Sequence, residues 1–170
     1  MHLYGFTSRE EITQATLGKP FRIYTINSNE IINYRMEKKL AKLISATNLW
    51  IFPVNSLGKS RALLTIDLMN GKWQAVAFGS SELANRLDML ANILPKDYEH
   101  KLVRIYQAKS DFIVLFKGDT AKMVPLTSAE VYLKLSKKTG GSYDMYEPSE
   151  VIPRLIPLIK ENLKTDFNYK

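Results

Sequence analysis

The sequence predicts an α+β fold, a single antiparallel sheet of about six or seven strands with helices packed mainly on one face. Three observations carry this expectation. Asn70-Gly71 stands between two β-rich runs, Ala62 to Leu68 and Trp73 to Phe78, and supplies the two positive-φ residues of a type I′ turn. Lys109-Ser110 and Lys117-Gly118-Asp119 divide a second β-rich stretch, so strands again follow one another through short turns. Helical periodicity follows each hairpin, with Leu83, Leu87, Leu90 and Leu94 after the first and a segment opening at Thr127 after the second. Ala62 to Leu94 and Leu102 to Leu135 thus read as two hairpin–helix units of similar length with little residue identity.

From the N-terminus, Ser8 with Glu11 predicts a capping box and a short helix ending at Leu17-Gly18. Phe21 to Ile26 is β-branched and aromatic and predicts a strand. Ile32, Met36, Leu40 and Leu43 recur at helical spacing, so a helix is expected to run to about Ser45. Asn48 to Val54 reads as a strand whose end, at Pro53, should lie at an edge or leave the ladder. Ser80 and Ser81 cap the leucine-striped helix that Pro95 stops.

Leu102 to Ala108, Asp111 to Lys117 and Ala121 to Leu126 are the later strands, and Thr127 with Glu130 predicts a second capping box. Thr139 to Ser149 is the longest loop. Val151, Leu155, Leu158, Ile159 and Leu163 then predict a C-terminal helix within residues 150–166, short or bent because of Pro153 and Pro157 and best formed from Arg154. The whole, residues 1–170, is expected to form a single globular domain with an N-terminal helix in residues 1–18.

Composition narrows the chemistry. The chain has no cysteine, so disulfide frameworks, zinc knuckles and thiol catalysis are excluded. Its two histidines, His2 and His100, have no partner at metal-ligand spacing, and neither a metal nor another cofactor is expected. No run of apolar residues is long enough to cross a membrane. With no charged leader either, the expected localisation leans to an extracytoplasmic protein whose leader has been removed, and otherwise to the cytoplasm.

Twenty-four Lys and Arg against 17 Asp and Glu give a net charge of +7. That excess raises a nucleic-acid reading, but it is dispersed. Arg35, Lys38, Lys39 and Lys42, and Lys134, Lys137 and Lys138, are interrupted by apolar residues as on the solvated face of an amphipathic helix.

Two motifs tempt and fail. Gly58-Lys59-Ser60 resembles the end of a phosphate-binding loop, yet Pro53 occupies the place of its first glycine and a strand follows where a helix is needed. Ser56-Leu57-Gly58-Lys59, Ser110-Asp111-Phe112 and Lys138-Thr139-Gly140 superficially resemble the boxes of penicillin-interacting serine enzymes, but the serine and lysine are not one helical turn apart and Phe112 replaces an asparagine.

No catalytic constellation is therefore expected. The functional expectation is a non-enzymatic binding module for a protein, peptide or anionic ligand, acting through an uncovered sheet face. Arg22 and Tyr24 alternate onto one face of their strand, and Arg104 and Tyr106 onto one face of theirs, giving a cationic–aromatic pattern suited to binding. The alternatives are a nucleic-acid-binding domain with a dispersed basic surface, and a hydrolase or transferase with a carboxylate site in loop 139–149 around Tyr143, Asp144, Tyr146 and Glu147.

Overall fold

The computed structural model describes residues 4–35, 38–135 and 140–167. Several expectations fall partly outside them: the start of the segment 1–18 with His2, Met36 of the predicted second helix, Lys137 and Lys138 of the second basic group, and the start of the 139–149 loop. The strands are β1 (Thr16–Leu17), β2 (Phe21–Ile26), β3 (Ile44–Ser56), β4 (Lys59–Met69), β5 (Lys72–Gly79), β6 (Glu99–Ile105), β7 (Ser110–Lys117) and β8 (Thr120–Pro125). The helices are α1 (Arg9–Thr13), α2 (Ser28–Ile32), α3 (Ser81–Ile93), α4 (Thr127–Leu133) and α5 (Pro148–Phe167).

The fold is α+β, but the sheet is mixed. Its strands run β5-β4-β3-β2-β6-β7-β8 with β1 beside β3, and β2 and β6 are parallel. The expectation of a wholly antiparallel sheet is corrected at that one pair. Hairpins announce themselves through their turns, whereas a parallel pair is joined by a long crossover and leaves no local signature.

The chain divides into two compact units, Met1–Ile23 with Thr47–Pro95, and Tyr24–Ala46 with Lys96–Lys170. The first contains the hairpin of β4 and β5 and the helix α3; the second contains β6, β7, β8 and α4.

In the first unit, Asn70 and Gly71 both adopt positive φ, 52° and 75°, and close the β4–β5 hairpin as their residue types require. The register pairs Leu68 with Trp73, Ile66 with Ala75, Thr65 with Ala77 and Leu64 with Phe78, leaving Val76 as a bulge residue. β3 continues past Pro53 to Ser56, paired with β4 throughout, so Pro53 neither ends the strand nor breaks the ladder. β1 takes up the other side of β3 at Val54 and Asn55.

The predicted N-terminal helix is shorter than expected. α1 stops at Thr13, and Thr16–Leu17 is strand, because the chain here satisfies its amides on β3. Ser8 does cap α1, accepting from the Glu11 amide at 3.3 Å, while the Glu11 carboxylate accepts from the Thr7 amide at 2.7 Å. Phe6, Val54 and Ala62 form a small core here, with Ala15 and Leu64 packed on it. α3 lies against β4, and its stripe Ala84, Leu87 and Leu90 is buried.

In the second unit the expected helix to Ser45 is replaced by the short α2, a 3₁₀ turn at Leu40–Lys42 and the start of β3 at Ile44. The β6–β7 connection is a 3₁₀ turn, Tyr106–Ala108, followed by Lys109 in the left-handed region, so Tyr106 stands outside the strand predicted for it. The second capping box does not form: Leu126 is the N-cap of α4 without a side-chain bond.

α5 begins well before Arg154 and tolerates both prolines. Pro153 and Pro157 are four residues apart on its exposed side, away from the buried stripe of Ile152, Leu155 and Ile159. The core of this unit gathers Val103, Phe112, Val114 and Met123 from the strands with Ile31, Ala129, Ile152, Leu155 and Ile159 from α2, α4 and α5. Leu102, Ile113 and Leu115, which alternate with those strand residues, are buried too, so β7 has no open face.

Candidate functional site

The sequence-predicted binding residues are each engaged separately. Arg22, in the first unit, donates from Nε to the Thr47 carbonyl at 2.9 Å, and its guanidinium lies 5.6 Å from the centroid of the Trp50 ring. The other three belong to the second unit. Tyr24 is half-buried against the core, with the Lys101 ammonium 5.4 Å from its ring centroid. Arg104 grips the Asp111 carboxylate with two bonds, Nε at 2.8 Å and Nη2 at 3.0 Å, across the β6–β7 ladder where the two residues are direct partners. Burial opposes the Arg104 charge, but the hydrogen bond and charge of Asp111 outweigh it and raise its pKa. Tyr106 is exposed in its 3₁₀ turn and shares no strand face with Arg104.

Around loop 139–149, burial raises the Tyr146 pKa first, and the nearby carboxylates of Asp144, Glu130 and Glu150 raise it further. Tyr146 is buried and paired with Met123 through reciprocal backbone bonds of 2.8 and 2.9 Å. The Glu147 carboxylate is ion-paired with Lys122, and its amide donates to the Glu150 carboxylate at 2.8 Å. A neighbouring cleft of about 290 Å³ includes Lys38, Lys39, Asp119 and Glu147, whose charges pair as Lys38–Glu30, Lys39–Asp119 and Lys122–Glu147. Lys39 holds Asp119 below the usual carboxylate range. Among the described residues no cluster of His, Asp and Glu is arranged to hold a metal ion, and no helix is long and apolar enough to cross a membrane.

A different surface stands out in the first unit. Trp50 and Phe52 alternate on β3 and pair with Ile66 and Leu64 of β4. Those residues and Leu68 pair in turn with Ala75, Phe78 and Trp73 of β5. Directly opposed residues share a sheet face, so all eight side chains line one side. The other side carries Ile51 and Leu63, both buried.

Phe6 covers only the Val54–Ala62 end of the aromatic side. Along β5 and at the tip end of β4 the face is open, with Leu68 38%, Trp73 55% and Phe78 44% exposed. Tyr4 meets Phe78 edge-on, ring centroids 5.4 Å apart, and Arg22 over Trp50 places a cation at the opposite border.

Both tryptophans of the chain stand on this face. Of the residues that line it, sequence reasoning reached Arg22 alone as a binding candidate. The Leu68–Trp73 pair was within reach, because a two-residue turn at Asn70-Gly71 dictates it. Phe78 was not, because it lies five positions after Trp73 and regular alternation would put the two on opposite faces. The bulge at Val76 restores them to one side. No family model, curated protein or solved structure matches the chain.

Proposed function

We propose that the protein is a non-enzymatic interaction module that takes an apolar protein or peptide segment on the aromatic face of β3, β4 and β5. The observation that carries this reading is the open face itself. Large contiguous apolar surfaces are uncommon on a protein that works alone, tryptophan is among the side chains that supply most binding energy at protein interfaces, and phenylalanine is enriched there.

The charge supports an apolar partner rather than a polyanion. The unit bearing the face has 7 Lys and Arg against 5 Asp and Glu, while the other has 17 against 12, so most of the excess lies away from it. Within the face, Arg22 is the cation, and it is already held by Thr47 and Trp50.

The test is selection of peptides on the full chain, followed by titration read through tryptophan emission. A bound apolar segment shields Trp50 and Trp73 and shifts emission to shorter wavelength. Phe52→Ala should weaken selected peptides by about tenfold or more, as loss of a well-packed aromatic anchor does. Arg104→Ala, in the other unit, should leave them unaffected. Peptides whose affinity ignores Phe52→Ala and Trp73→Ala would remove the reading.

A further inference from the structure

β5 is the terminal strand of the sheet, and its outer edge has no strand beside it among the described residues. Natural edges are protected by charge, proline, short length or a bulge. This strand is eight residues long, and after Lys72 the run Trp-Gln-Ala-Val-Ala-Phe-Gly contains no charge and no proline. Among the described residues its protections are Lys72 at its start and the bulge at Val76.

The bulge also makes the edge self-complementary. Two antiparallel copies of β5 related by a twofold axis can pair residue i with residue 151 − i. Trp73 then opposes Phe78 of the second copy, Gln74 opposes Ala77, and Ala75 opposes Val76. Trp73 and Phe78 already share the aromatic face, and Gln74 and Ala77 share the other, through their partners on β4. Trp73 with Phe78 and Gln74 with Ala77 therefore match face to face. Without the extra residue Trp73 and Phe78 would lie on opposite sides and this register would set aromatic against solvent.

We infer that β5 pairs with β5 of a second copy in this register, joining two sheets and two aromatic faces into one. Trp73, Val76 and Phe78, between 44% and 55% exposed, stand on the edge strand itself and flank the seam. No charge between Trp73 and Gly79 opposes the approach of an identical strand. The inference is independent of which segment the aromatic face binds.

The absence of cysteine makes the register directly readable. The full chain carrying Gln74→Cys and the full chain carrying Ala77→Cys are mixed in equal amounts and oxidised. The expected product is the mixed disulfide, because residues 74 and 77 are opposed only across the two copies. Homodisulfides forming as readily as the mixed species would overturn the register.

Sedimentation equilibrium of the unmodified chain should give twice the monomer mass at high concentration. Val76→Lys should return it to the monomer mass with an unchanged circular dichroism spectrum, since Val76 opposes nothing on β4. A monomer at every concentration, or a Val76→Lys chain that still dimerises, would refute the pairing. Phe52→Ala separates the two readings: it leaves the edge intact, so dimerisation should persist while peptide binding is lost.

Discussion

The guanidinium of Arg22 lies over the Trp50 ring at 5.6 Å while its Nε is anchored to the Thr47 carbonyl at 2.9 Å. One side chain thus ties β2 to two points of β3. Arg22→Ala removes a hydrogen bond and a cation–π contact and should cost about 1–2 kcal/mol, read by denaturant titration. Trp50 emission should change in the native state, because a cation leaves its ring. An unchanged spectrum would show that the guanidinium does not sit there in solution.

Arg104 and Asp111 are opposed across β6 and β7 and bound bidentately. Asp111→Ala strands a largely buried guanidinium and should destabilise by about 2 kcal/mol. A double-mutant cycle with Arg104→Ala should return a coupling of about 1–2 kcal/mol. Coupling near zero would mean that water replaces the pair without loss. Both variants should bind aromatic-face peptides as the parent does.

Glu11 closes the first turn of α1, accepts from the Thr7 amide and is ion-paired with Arg61. The Thr7 bond leads in holding its carboxyl below the ordinary range, against the opposing effect of burial. A carboxyl whose folded pKa is depressed stabilises the fold above its unfolded value, near 4.3, and loses that contribution as pH falls through the folded value. Melting temperatures followed from about pH 7 down to about pH 3 should therefore drop less steeply in Glu11→Gln than in the parent. Parallel curves would show that Glu11 titrates alike in both states.

Two glycines should respond differently to alanine. Gly71 needs φ of +75° but has open space where a Cβ would stand, so Gly71→Ala should cost only the left-handed penalty of about 1 kcal/mol. Gly5, at φ +92°, would drive its Cβ into the Arg61 carbonyl and against Ser81, and nothing flexible is there to give way. Gly5→Ala should lower the melting temperature clearly more than Gly71→Ala. The reverse order would contradict the close approach of the N-terminal segment to β4.

What could be read from the sequence was what is decided within a few residues. Asn70-Gly71 fixed its own hairpin, Ser8 capped α1, and Leu83, Leu87, Leu90 and Leu94 marked α3. What stayed hidden depends on residues far apart in the chain. Thr16 and Leu17 are helical by local pattern and become strand because β3 offers them partners. The parallel neighbour of β2 lies beyond α2, three strands and α3. In the same way the strand pattern shows Arg104, but not that the ladder register sets Asp111 directly across from it as a bidentate partner. The aromatic face depended on a bulge, an extra residue that no local propensity announces.

The interleaving of the two units bears on how the chain is made. Unit one ends at Pro95, so all its residues have emerged once that point leaves the ribosome. Tyr24 to Ala46, already synthesised by then, belong with a segment that starts only at Lys96. Ile26, Ile31, Leu40 and Leu43 must therefore wait for Val103, Phe112 and α5 before their core can close. During vectorial synthesis the buried side chains of that stretch still lack these core partners, and it is there that a slow elongation rate or a chaperone would have most effect on yield.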